Sequence, residues 1–322
     1  MATGNFTTAT ATMTMTTTGP TTTDPTATTT NTTTSETSGE EDPEDPCNGE
    51  LPCEDATDDI SLNGGASPDV VPEPITDFSL WAMAGIGGMV VTGTDSSENL
   101  AGTELGDSIS AFAGNDAVMG LGGDDLISGG DNNDNLDGGE GNDNIQGGNG
   151  GDVCEGYGGF DLIYGGEGLD QIYGGGDADV LYGEGQPDEI YGELGQDNIY
   201  GGPGDDFIDG GLGNDVLWGD EDNDTIAGDD NDDVLIGGLG RDTLAGGSGN
   251  DIYIWLPGDG DDIIDGDEDG MDILYIGTYG PGEATALRAG DDYWLVLPDA
   301  TLEIRGYYTG SNQIELIQFE GT

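Results

Sequence analysis

Gly165-Gly166-Glu167-Gly168-Leu169-Asp170-Gln171-Ile172-Tyr173 states a nine-residue rule, G-G-x-G-x-D-x-U-x, in which U is apolar. The rule runs without insertion from Gly93 to Ile254, a span of 18 units. The first position is Gly in every unit except the one that opens on Ala111, and the sixth is Asp in every unit except the first, which has Glu98. The eighth position is apolar in all 18 units, mostly Ile or Leu. A period this strict predicts stacked supersecondary units, each burying its apolar face only against its neighbours.

The spacing predicts how each unit folds. Six residues fall to a Gly-rich turn, where Gly supplies positive φ and close backbone approach. The remaining three, x-U-x, suit a very short strand with U on one face and its neighbours on the other. Two consecutive units then make strand, turn, strand, turn, which is one coil. Nine coils at a strand spacing of ~4.8 Å give a two-sided parallel roll about 40 Å long. The fold expected is all-β, a right-handed parallel β-roll whose thin core is made of U residues from two sheets.

Turns of alternate units lie above one another, so the sixth-position carboxylates fall into two rows. One holds Asp116, Asp134, Asp152, Asp170, Asp188, Asp206, Asp224 and Asp242. The other holds Asp107, Asp125, Asp143, Asp161, Asp179, Asp197, Asp215, Asp233 and Asp251. Bare charges a few ångströms apart repel by more than ~1 kcal/mol even in water, so something positive must separate them. A hard divalent cation with oxygen ligands suits carboxylates and open turn carbonyls. Ca²⁺ takes about six to eight oxygens in flexible geometry, whereas Mg²⁺ needs a stricter octahedron. Residues 93–254 carry 38 acidic side chains and one Arg. Two edges with about eight gaps each would hold at most ~16 divalent ions, close to neutralising that charge.

Composition sorts the functions that remain. The 322 residues include 63 Gly and 68 acidic side chains against three Arg, with no His and no Lys. Without His there is no HExxH zinc site and no Ser-His-Asp triad; without Lys there is no P-loop lysine and no Schiff base. A net charge of −65 repels nucleic acid and anionic membranes and attracts cations. The longest apolar run, near Leu80 to Val91, is too short to span a bilayer.

The units resemble the RTX (haemolysin-type) calcium-binding nonapeptide repeats of secreted bacterial proteins. That resemblance implies multiple Ca²⁺ ions held between turns one coil apart, by the sixth-position Asp and turn carbonyls. It also implies an extracellular or cell-surface location. The first units depart from the pattern at Ser96, Glu98, Leu105 and Ala111-Phe112, and read chiefly as a cap; Asp177 and Gln186-Pro187 are later departures.

Four segments are expected. Residues 1–46 form a Thr-rich arm that cannot bury enough apolar surface to order, and 47–92 an acidic linker with a capping strand. The roll occupies 93–254 and a β-rich cap 255–322. Cys47 and Cys53 are spaced for a small disulfide loop, whereas Cys154 sits at a U position and reads as a buried hydrophobe. In the cap, Asp272–Ile276, Tyr293–Leu297 and Leu302–Arg305 read as strands. The ending from Ile314 resembles the family's post-repeat segment and is a candidate to close the roll and cover part of it.

Positions flanking U should face solvent, yet those of the even-numbered units are apolar over six coils, including Tyr164, Tyr182, Tyr200 and Trp218. This ribbon is expected either to be covered by the same chain or to serve as an interaction face. Its partner would be a protein, a second copy or a polysaccharide. No HExxH, no G-x-S-x-G and no segment large enough for a catalytic domain is present, so a calcium-binding structural or interaction module is expected rather than an enzyme. An adhesin or matrix component is the alternative.

Overall fold

The computed structural model describes residues 88–265, 270–278, 282–306 and 314–319. The Thr-rich arm, Cys47, Cys53 and the apolar stretch at Ile75–Trp81 lie outside them. Among the described residues every regular element is a strand, and no helix is long and apolar enough to cross a membrane. These residues form two sheets, of 12 and 13 strands, in which each strand of the repeats pairs with the next but one along the chain. This is the parallel β-roll that the period of nine requires.

The register follows from the repeat. Ile172 pairs with Cys154 of the preceding coil and with Ile190 of the following one, so identical unit positions lie side by side through the whole roll. Even-numbered units build one sheet and odd-numbered units the other. Between them the U residues meet: Ile145, Cys154, Ile163, Ile172, Leu181 and Ile190 are fully buried. Each such side chain contributes about 1.5–3 kcal/mol on burial. Cys154 packs there as a free, buried thiol.

The strands are longer than x-U-x. Most run for six residues, as in Gln171–Gly176 or Val180–Gly185, and so continue into the first three positions of the next unit. Gly175 pairs with Tyr157 and Gly176 with Gly158 across the sheet. Glycines that read as turn residues therefore belong to the ladder, bent by a positive φ at the second position. The tight turn itself takes only the three residues that follow.

That bend survives loss of its glycine. Phe112, Leu121, Tyr157, Glu184 and Glu193 hold the second position at φ between 71° and 82°. Asp177 and Gln186 hold the fourth at φ 76°. A left-handed conformation costs a residue with a side chain ~1–2 kcal/mol. Neighbouring coils on both sides impose it, and the departures from the consensus leave the path of the chain unchanged.

After Ile254 the roll continues with a changed spacing. Leu244 pairs with Ile264 and Tyr253 with Leu274, each partner lying further along the chain than two units of nine would place it. Strand Asp272–Ile276 lies where sequence alone places it, and Asp292–Val296 and Thr301–Ile304 each begin and end one residue earlier than expected. Thr301–Ile304 extends the odd-unit sheet in parallel and then pairs antiparallel with Asp292–Val296. Ile314–Phe319 pairs in parallel with Asp272–Ile276 at the end of the even-unit sheet. It adds a strand to that edge and does not lie across the ribbon.

The ribbon itself departs from the alternation rule. Tyr164 and Tyr182 point away from the U core, yet they are only 3 and 6 % exposed. Tyr164, Tyr182, Tyr200 and Trp218 stack in sequence, with ring centroids 4.9, 4.8 and 4.3 Å apart and planes within 9°. Rings in this register hide one another's faces. Tyr200 and Trp218 remain half-buried.

Candidate metal centre

The aspartates of the two rows are placed by strand starts. Each stands one residue before its strand, where the backbone leaves the turn and enters the ladder. All seventeen are 0–3 % exposed. A buried carboxylate is stable only when its oxygens are paired or bound to a cation.

One oxygen of each is accounted for. Asp134 Oδ1 accepts the Asp116 amide at 2.8 Å, Asp152 Oδ1 the Asp134 amide at 2.8 Å, and Asp170 Oδ1 the Asp152 amide at 2.7 Å. The other row repeats this with Asp161 on the Asp143 amide at 2.8 Å, Asp179 on Asp161 at 2.7 Å and Asp197 on Asp179 at 2.7 Å. Every carboxylate thus clips its coil to the one before it, and both rows form continuous ladders.

The second oxygen is not, except in Asp107, whose Oδ2 accepts the Thr103 amide at 2.5 Å and hydroxyl at 3.0 Å. From Asp116 and Asp125 to Asp233 and Asp242, the Oδ2 atoms are buried without a hydrogen-bond donor. From Asp125 onward each faces a corner that a first-position glycine leaves open, whereas the unit of Asp116 opens on Ala111. A Cβ on Gly165 would sit 2.7 Å from Asp170 Oδ2 and 3.0 Å from the Gly183 carbonyl oxygen of the next coil. On Gly174 it would meet Asp179 Oδ2 at 2.6 Å and the Gly192 oxygen at 2.9 Å; on Gly210, Asp215 Oδ2 at 2.7 Å and the Gly228 oxygen at 3.0 Å. These glycines are required for the space, and the space is lined by oxygen.

Burial without a counter-charge changes the acids themselves. Desolvation raises Asp179, Asp188, Asp224 and Asp233 to about 8, against the lowering effect of the backbone hydrogen bond. Asp143, Asp152, Asp197 and Asp206 are pushed up to about 7 for the same reason. Neighbouring carboxylates along the row raise them further. In the cation-free ladder Asp179, Asp188, Asp224 and Asp233 thus favour the protonated form at neutral pH.

Among the described residues no three acidic side chains converge on one point. Each corner instead offers carboxylate and carbonyl oxygens from successive coils, the donor set a hard cation prefers and a soft one does not. The oxygen-lined corner and the unpaired Oδ2 fit Ca²⁺. The model of the RTX calcium-binding nonapeptide repeat matches residues 92–127, 119–154, 128–163, 155–190, 182–217 and 218–253. Together these cover half of the chain. It belongs to the RTX nonapeptide-repeat family. No curated protein matches the chain.

Within this RTX array, two ladder members lie beyond the uninterrupted period and escape sequence reading. Asp262 Oδ1 accepts the Asp242 amide at 3.0 Å, and Asp272 Oδ1 the Asp251 amide at 2.9 Å. Both keep G-x-D-x-U, as Gly260-Asp261-Asp262-Ile263-Ile264 and Gly270-Met271-Asp272-Ile273-Leu274. The signal was present; extra residues before each had broken the count of nine. At the other end Glu98 turns its carboxylate onto Thr94, accepting from its amide at 2.8 Å and its hydroxyl at 2.7 Å. The RTX ladder accordingly starts in a locally satisfied acid.

Proposed function

We propose that this chain is a calcium-dependent folding module, secreted or surface-exposed, that serves a structural or interaction role without catalysis. The observation that carries the reading is the row of buried Oδ2 atoms lacking any donor, each facing a glycine-made corner lined with carbonyl oxygen. Asp125 through Asp242 would hold the ions, one per corner, together with the first-position glycine carbonyl of the following coil. Ca²⁺ bound there would supply the positive charge that the chain's three arginines cannot. The rest is done by the chain: Oδ1 sets the coil register, Gly keeps the corner open, and U residues exclude water from behind.

Sites in extracellular modules are weak, with Kd of ~10⁻⁴–10⁻³ M. At tenfold excess over Kd each independent site adds about 1.4 kcal/mol, and well below Kd almost nothing. Summed over many corners, that difference would separate an unfolded chain inside a cell from a folded roll outside it. The test is a count of bound ions by equilibrium dialysis against Ca²⁺ and, separately, Mg²⁺. The reading expects many Ca²⁺ per chain, cooperative with folding, and little response to Mg²⁺ at the same concentration. Equal uptake of both ions, or one or two Ca²⁺ alone, would overturn it.

The adhesin alternative rests on the aromatic ribbon. Sugar recognition by aromatics uses open ring faces, and here the faces of Tyr182 and Tyr200 are spent on each other. That stacking favours a structural role for the ladder, with the half-buried Trp218 edge as the place for any contact.

A further inference from the structure

Both aspartate rows meet, at the C-terminal side of the repeats, an aromatic side chain with a polar tip. Tyr253 stands at the eighth position of the last unit, where the other units carry Leu, Ile, Val or Cys. Its ring fills the core at 1 % exposure. Its Oη accepts the Gly246 amide at 2.7 Å. Gly246 is the first-position glycine of the unit, so its missing Cβ marks the corner that faces Asp251. In that corner the hydroxyl lies 2.6 Å from where the Cβ would be, beside Asp251 Oδ2. On Gly165, Gly174 and Gly210 the corresponding neighbour is a carbonyl oxygen of the next coil.

The other row closes similarly. Trp255 follows the last unit, is 3 % exposed, and its Nε1–H donates to Asp262 Oδ2 at 2.7 Å. This is the same oxygen that lacks a donor in Asp242 and Asp224, one and two rungs earlier. A buried indole N–H and a buried phenol each need a polar partner, and a carboxylate ladder supplies one.

We propose that Tyr253 and Trp255 terminate the cation rows: at Asp251 and Asp262 their polar tips take the place that Ca²⁺ takes elsewhere. Asp251 and Asp262 then act as capped, metal-free rungs, and Asp251 is withdrawn from the set of ligands expected from sequence. Asp262 then closes its row with both carboxylate oxygens hydrogen-bonded and no ion. The proposal rests on calcium occupying the interior corners.

The test is the position and number of ions in calcium-loaded full-length protein. Anomalous scattering from calcium-soaked crystals should place ions at corners such as those of Gly165, Gly174 and Gly210, and none at Gly246 or on Asp262. Tyr253→Phe keeps the ring and removes the oxygen; it should bind one additional Ca²⁺ per chain by equilibrium dialysis with radioactive calcium. An ion at Gly246 with Tyr253 Oη among its ligands, or an ion on Asp262, overturns the proposal. So does an unchanged count in a folded Tyr253→Phe protein. Should that variant not fold, the ion positions in the parent decide the matter alone. Absence of ions from every corner would instead refute the calcium reading of the whole roll.

Discussion

At the scale of a residue, the site depends as much on atoms that are missing as on the aspartates. A Cβ on Gly183 would lie 2.5 Å from the Gly201 oxygen and 2.6 Å from Asp188 Oδ2, in the middle of one corner. Gly176 also sits in a strand, but a Cβ there would meet its nearest neighbour, Tyr157 O, only at 3.6 Å. Neither glycine has a positive φ, so backbone strain does not separate them. Gly183→Ala should therefore lose one bound Ca²⁺ and about 1.4 kcal/mol of stability at tenfold excess over Kd. Gly176→Ala should bind the parental number. Dialysis and denaturant midpoints at fixed calcium check both, and equal losses in the two variants would show that the corners are not where ions sit. Sequence alone places the aspartates in two rows and the glycines at the first position of every unit but one. It could not divide Oδ1 from Oδ2, because that division depends on the amide one coil away.

At the scale of an element, each ladder is a titrating unit. In the cation-free roll burial raises Asp179, Asp188, Asp224 and Asp233 to about 8, above the ordinary carboxylate value of 3.8. A group with a raised folded pKa makes the folded state bind more protons than the unfolded one. Its contribution is fully present below about 3.8 and is lost as pH rises through about 8. Without calcium, then, the roll should gain β structure as pH falls from about 8 to about 5, and the same protons should weaken calcium binding. Circular dichroism in chelator at the two pH values tests this, and identical spectra would contradict it. The strands themselves were only half legible. Glycine reads as turn, so Gly174-Gly175-Gly176 conceals a continuation of the ladder that parallel neighbours enforce. The positive φ of Glu184 and Glu193 is likewise a product of stacking, invisible to local propensity.

At the scale of the molecule, the period of nine and its doubling into coils settled the architecture, since every unit repeats the same instructions. Two features escaped. The ladder runs on to Asp262 and Asp272 because its chemistry tolerates insertions that hide a count of nine. The ribbon is more buried than alternation allows, with Tyr164 and Tyr182 at 3 and 6 % exposure. What the whole chain does with its charge is the central claim: 68 acids against three arginines should hold it apart until cations enter the corners. Small-angle scattering with far-ultraviolet circular dichroism, in chelator and then across a calcium titration at pH about 7.5, tests it most directly. An expanded chain without β signal that compacts cooperatively as Ca²⁺ is added is the outcome expected. A compact protein with full β content in chelator would contradict it.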